Sequence, residues 1–309
     1  MSAVVIGEVL VDLVWRTGCE SLAALPGGSP ANVAVGLHGL GRPVTLVTCW
    51  GDDLPGALVR SHVRATGLPV VRAESASGRT TLALAHVDTA TGGATYDFLA
   101  SWDPLSLPLP PDATLLATGS LAVVAEPGAS RVAAACREFR SRPGAAVAVD
   151  LNVRPGVQPD RAVYGRAVER IAATADVVKA STEDLAWLFP DRAAGAAARE
   201  LLGLGPRLVV VTDGANGATA YTGGTEVSVP APAVRVVDTI GAGDAFQAAL
   251  LAGLLRQDAD GRHQVQVPED RDGLEQLLRR AVAAGALACE RAGAHPPGLD
   301  QLEAALGTA

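Results

Sequence analysis

Short β-rich apolar runs alternate with longer helical patterns through most of this chain of 309 residues. That alternation is the strongest constraint on its fold, because parallel strands must be joined by long crossovers, usually helices. Strands are predicted at residues 4–6, 44–48, 114–117, 146–149, 177–179 and 208–212, with helices between them. The best-marked helix takes Ser29 as N-cap and Pro30 as its first residue, runs through Val33, Leu37 and Leu40, and stops at Gly41. Two stretches, 10–25 and 79–103, break the rhythm and favour strands and turns. In the second, Thr80, Leu82, Leu84 and His86 lead to the turn-forming Thr91-Gly92-Gly93 and then to Tyr96 and Phe98, a hairpin pattern. Segments 104–111 and 259–272 read as surface loops. The expected organisation is one large α/β unit spanning 1–309 with a small β element.

A net charge of −8 and the scarcity of basic clusters, with Arg279-Arg280 among the few adjacent pairs, leave no electrostatic footprint for a phosphodiester backbone, so nucleic acid is not an expected partner. Cys19, Cys49, Cys136 and Cys289 are far apart and form no Cys-x-x-Cys pair, which disfavours a zinc ribbon or dithiol motif. The five histidines show no ligand spacing either. Glu8 and Asp12 interrupt the first apolar run, unlike a secretory signal, and no apolar run is long enough to span a bilayer. A soluble cytoplasmic protein without membrane partners is expected.

The stretch Asp238-Thr239-Ile240-Gly241-Ala242-Gly243-Asp244 precedes an apolar helical pattern. Small residues at a helix start let backbone N–H groups converge on an anion, where the helix dipole adds positive potential. Asp244 there can take a proton from a hydroxyl attacking phosphate; it can equally be a plain helix cap. A second glycine turn, Gly27-Gly28, leads to Asn32, whose amide offers a donor and an acceptor to a polyol. Asp12, on an apolar strand, can accept from two sugar hydroxyls or face water as an edge charge.

Taken in this order, these stretches resemble the ribokinase-like, pfkB-type carbohydrate kinases, specifically the fructokinase-like branch. Residues 27–34 match that family's N-terminal glycine motif and 238–244 its C-terminal Asp-Thr-x-Gly-Ala-Gly-Asp motif. Asp150-Leu151-Asn152-Val153-Arg154-Pro155 resembles its Asp-Pro-Asn-x-Arg strand end, residues 211–217 its nucleotide-binding turn, and 291–296 its segment near the adenine pocket. The resemblance implies a ribokinase-like α/β fold, a mostly parallel sheet flanked by helices, with a β lid formed by about 10–25 and 79–103. It implies Asp244 as general base and the amides of Gly241, Ala242 and Gly243 as an anion hole. Asp12, Gly28, Asn32 and Arg154 fall on the substrate side, and Lys179, Ser181, Thr212, Gly214 and Gly217 on the nucleotide side. Asp184 becomes a magnesium contact through water, ATP and Mg²⁺ the cofactors, and a lid-paired homodimer the expected assembly.

Three departures shape the expectation. Ser181 and Asp184 stand where the family often has Asn and Glu; Pro297 replaces a hydroxyl residue at a monovalent-cation site, so potassium activation does not carry over. Phe98-Leu99-Ala100 lacks the aromatic-arginine pair of several hexose and ketogluconate kinases. A neutral sugar, with fructose leading, is therefore the expected substrate. The alternatives are a nucleoside or ketogluconate kinase of the same fold and a non-catalytic sugar or nucleotide sensor. A dinucleotide-dependent dehydrogenase is disfavoured because no Gly-x-Gly-x-x-Gly turn follows the first strand.

Overall fold

The structure, a computed structural model, describes residues 2–87, 94–257 and 263–307. The predicted turn at 91–93 lies outside the described residues. In chain order, β1 (Ser2–Ile6), β2 (Leu10–Arg16) and β3 (Leu22–Gly27) lead into α1 (Ser29–Gly39). There follow β4 (Val44–Thr48), α2 (Leu54–Ala65), β5 (Val70–Arg72), β6 (Thr81–Val87), β7 (Ala94–Leu99), β8 (Ala113–Gly119) and α3 (Gly128–Arg140). Next come β9 (Ala146–Asp150), α4 (Arg161–Ala172), β10 (Val177–Ser181), α5 (Thr182–Leu188), α6 (Ala194–Gly203) and β11 (Leu208–Thr212). The chain continues through β12 (Ala218–Tyr221), β13 (Glu226–Val229), α7 (Ala242–Leu254), β14 (Leu255–Gln257), β15 (His263–Val265), α8 (Arg271–Cys289) and α9 (Leu299–Gly307).

Among the described residues the large sheet has nine strands in the order β13-β12-β11-β10-β9-β8-β1-β4-β5, parallel except where β12 and β13 fold back at one edge. Its central strands are apolar throughout because both faces are covered. Ala3, Val5 and Leu115 pack with Leu37, Leu250 and Leu278 of α1, α7 and α8, while Val4, Ile6, Leu116 and Val149 pack with Val132, Ile171 and Leu201 of α3, α4 and α6. β1 lies between β8 and β4, so connections leave it in opposite directions. The carboxyl ends beside it form the crevice in which open α/β sheets bind ligands.

A second sheet, β3-β2-β6-β7, is built from the two stretches that break the helical rhythm. Its register aligns Leu25, Asp12, Ala83 and Phe98 in one row, so Phe98 shares a face with Asp12. The joint with the large unit is polar: Asp53 caps α2 through Gly56 N–H and also accepts from the backbone and hydroxyl of Thr80, at 2.9 and 2.5 Å.

Two expectations need correction. Gly28, not Ser29, is the N-cap of α1, and the helix ends at Gly39 rather than running to Gly41. Ser29 is already the first residue of the helix, and its hydroxyl donates to an acceptor far along the chain. Segment 259–272 is not all loop either, since His263–Val265 pairs with Leu255–Gln257 and α8 opens at Arg271; residues 258–262 lie outside the described residues.

Candidate active site

Two helix N-termini from opposite ends of the chain meet at one carboxylate. Ser29 Oγ donates to Asp244 Oδ1 at 2.6 Å and Asn32 Nδ2 donates to Asp244 Oδ2 at 2.8 Å. The two donors are three residues apart on α1, hence on one helix face. Asp244 lies in the first turn of α7, yet its side chain makes no cap bond to that helix. Each of its oxygens is held from outside while the carboxylate stays half-buried, in reach of a small molecule.

Gly241 caps α7 in the left-handed region, φ +77°, and a Cβ there would lie 2.7 Å from that of Ala294, so only glycine fits. Asp238 fastens the same junction, accepting from Ile240 N–H and from Gly293 N–H at 2.8 Å. Of the three amides assigned to the anion hole, that of Ala242 donates to Thr239 O at 3.2 Å within the turn. The amides of Gly243 and Asp244 have no hydrogen-bond partner among the described residues, as expected of a first helical turn, and the α7 dipole points its positive end there.

Behind Gly243 sits Lys179. Its Nζ would be 3.3 Å from a Cβ at Gly243 and donates to Asp150 Oδ2 at 2.6 Å, both residues being buried. The β9–β10 register makes Lys179 and Asp150 direct neighbours. Burial pushes the Asp150 carboxyl up to about 6 against the pull of Lys179; for Lys179 burial is the largest influence and pulls downward, but the charge and hydrogen bond of Asp150 with the charges of Asp184 and Asp244 together raise it. The pair is therefore ionic at neutral pH.

On the other side of Asp244 lie Asp12, half-buried on β2, and Gly28. Gly28 has φ +117°, and a Cβ would meet Glu8 O at 2.6 Å. Burial raises Asp12 to about 6, eased by the positive charge of Arg154. The Arg154 amide donates to the buried Tyr164 hydroxyl at 2.9 Å, and its guanidinium is attractive to both Asp12 and Glu8. Asn152, two residues earlier, takes φ +37°, a strained value for a non-glycine residue beside a site.

The residues assigned to nucleotide and magnesium cluster at the ends of β10 and β11. Ser181 and Thr212 are register partners, and Thr212 Oγ1 reaches Ala180 O at 3.4 Å. Gly214 is exposed, whereas Gly217, φ +97°, would place a Cβ 2.0 Å from Val229 O and so serves the β11–β12 turn. Asp184 Oδ1 accepts from Val153 N–H at 2.7 Å and Oδ2 from Ser181 N–H at 2.8 Å, while Ser181 Oγ accepts from Asp184 N–H. This capping box ties β10 to the segment carrying Arg154. Among the described residues no three His, Cys, Asp or Glu side chains converge to cage a metal ion, and no helix is long and apolar enough to cross a membrane.

The sequence reading left out four residues that the fold brings here: Glu8, Ser29, Ser120 and Asp150. Glu8 is fully buried, bonded to Ser120 and pushed up to about 8 by burial. Its signal was a carboxylate inside an apolar run. Ser120, φ +56°, carried none.

The profile of the pfkB family carbohydrate kinases matches residues 2–301. A fructokinase of Klebsiella pneumoniae is 36% identical over 299 residues, 94% of each chain. Among solved structures, a fructokinase double mutant of Vibrio cholerae O395 with fructose, ADP and potassium ion superposes with a TM-score of 0.80 at 27% identity, covering 99% of this chain and 98% of that one. The aminoimidazole riboside kinase of Salmonella enterica, complexed with aminoimidazole riboside and an ATP analog, gives 0.81 at 28%, covering 99% and 100%.

Proposed function

The chain belongs to the pfkB family of carbohydrate kinases and is an ATP-dependent sugar kinase, and from that premise we propose that it phosphorylates D-fructose with Asp244 as general base. One observation carries the base assignment: the Asp244 carboxylate, though in the first turn of a helix, is oriented by Ser29 and Asn32 instead of capping that helix. A carboxylate so held beside open amides has a proton acceptor's geometry, not a cap's.

In this reading a terminal sugar hydroxyl donates to Asp244 as its oxygen attacks the γ-phosphorus of ATP. The bond to the β–γ bridging oxygen breaks, ADP leaves, and the proton remains on Asp244. The amides of Gly241, Ala242 and Gly243 form the anion hole, with Gly243 free to donate at once and Ala242 after exchanging its bond to Thr239. Lys179, beneath Gly243 and anchored by Asp150, supplies fixed positive potential to the phosphates from below. Asp12, Asn32 and Arg154 bind the sugar, and Gly28 keeps the backbone close to it. Ser181, Thr212, Gly214 and Gly217 border the nucleotide.

Magnesium fits here as a companion of ATP, not as a caged ion. Each Asp184 oxygen has one amide donor and retains acceptor capacity for a metal-bound water, which matches how Mg²⁺ binds through few carboxylates and substrate phosphates. When bound it neutralises charge on the phosphate oxygens. The β2-β3-β6-β7 sheet acts as a lid. Its exposed Trp15, Leu22, Leu25, Tyr96 and Leu99 suit pairing with a second copy. Free Cys19, Cys49, Cys136 and Cys289 suit the reducing cytoplasm.

The test is a coupled ADP-release screen with MgATP across fructose, other ketoses, aldoses, ketogluconate and nucleosides. Fructose should turn over fastest, in keeping with the fructokinase relative and the missing lid arginine. A preference for adenosine or another nucleoside overturns the fructose assignment, and ADP release with no added compound overturns the kinase mechanism.

A further inference from the structure

Beside Ser29 lies a cavity of about 10 Å³ bordered by Ser29, Thr118, Asp150 and Gln247, with Val5 and Val33 as apolar wall. That is the space of one water molecule. Its polar wall is unusual. Asp150 Oδ1, Thr118 Oγ1 and both Gln247 amide atoms are buried and have no hydrogen-bond partner among the described residues, in side chains whose residues are only 4%, 5% and 1% exposed. Buried polar groups are normally paired, so the convergence of these on one water-sized space points to an occupant.

We propose that one long-lived internal water is bound there by Asp150, Thr118, Gln247 and Ser29, and that it orients the Ser29 hydroxyl toward Asp244. One water can satisfy Asp150 Oδ1, Thr118 Oγ1 and the Gln247 NH₂ together. Asp150 Oδ1 is acceptor only, because Oδ2 is engaged by Lys179 in an ionic pair. Thr118 and the Gln247 NH₂ can donate. A water that accepts from those two donates to Asp150 and to a lone pair of Ser29 Oγ. With that lone pair occupied, the Ser29 proton points at Asp244 Oδ1, the 2.6 Å bond already described. An alkali cation would need acceptors on every side, so Gln247 would have to present Oε1 instead of its NH₂, and a rubidium soak separates the two occupants. The water thereby couples the Lys179–Asp150 pair to the base, making Gln247 and Thr118 positioning residues. This inference rests on Asp244 being the base.

The experiment begins with the wild-type protein in a high-resolution crystal structure, with a rubidium soak as control for a cation. A spherical peak within hydrogen-bond distance of at least three of the four side chains, without anomalous rubidium signal, is expected. A dry cavity or a rubidium site overturns the proposal. Gln247→Leu, with Thr118→Val as the second variant should the first fail to fold, should remove the peak. It should lower kcat about tenfold while KM for sugar and ATP stays within about twofold, the pattern of a misaligned base. Loss of the peak with unchanged kcat overturns the positioning role. If Asp244 is not the base, Asp244→Asn keeps its activity while the peak persists, so the two readings fail separately.

Discussion

At the scale of single residues, the candidate site combines carboxyls that differ sharply in acidity. Burial holds Glu8 at about 8, against an ordinary 4.5, so the folded state binds more protons than the unfolded chain between those values. Stability therefore falls as pH rises through that window and levels off above it. Glu8→Gln should flatten this slope and leave the variant more stable than wild type at pH 8–9, by on the order of several kcal/mol, as read by urea unfolding at a series of pH values. Equal slopes would show that Glu8 is not buried as described. If Asp12 binds the sugar as proposed, its ionised form accepts the hydroxyls more strongly than the protonated form, so KM for the sugar should rise below about pH 6. Asp12→Asn should raise KM roughly tenfold or more and abolish that acid limb. At this scale contiguous motifs singled out Asp244 and Asn32, which the fold joins by a hydrogen bond. Ser29 was given a cap's role because a serine before Pro30 has that local use, whereas its hydroxyl donates to a carboxylate 215 residues away. Asp150 and Gln247 acquire their meaning only from packing.

At the scale of elements, apolar runs located β1, β4, β8, β9, β10 and β11, and residues 44–48 and 208–212 coincide with β4 and β11. The antiparallel edge β12–β13 and the β14–β15 hairpin were missed, being short and rich in Thr, Ser and Gln without a continuous apolar run. Gly217 shows why turns of this kind resist substitution. A methyl group would collide with Val229 O in a left-handed backbone, so Gly217→Ala should cost about 1–3 kcal/mol, measurable as a lowered melting temperature. An unchanged melting temperature would contradict the turn. For the lid, the Asp53–Thr80 joint links the smaller sheet to α2, and closure over the sugar would exclude water from the anion hole. Amide exchange in β6 and β7 should slow when fructose is added, whereas unchanged exchange at saturating sugar would contradict closure.

At the scale of the molecule, the sheet order places the carboxyl ends of β1, β8, β9 and β10 around one crevice, and the two helices that begin at its rim are the second means of assembly. Neither glycine motif forms the site alone. α1 supplies the orienting donors and α7 the carboxylate, and only the complete α/β unit holds them 2.6 to 2.8 Å apart. The measurement that bears most directly on this arrangement is single-turnover phosphoryl transfer by Asp244→Asn with fructose and MgATP, alongside ATP affinity and thermal melting. Asn preserves shape but cannot take the proton, so melting and ATP binding should stay near wild type while the transfer rate falls about 10²- to 10⁴-fold or more. Transfer within about fivefold of wild type, with binding and melting intact, would contradict general-base catalysis by Asp244.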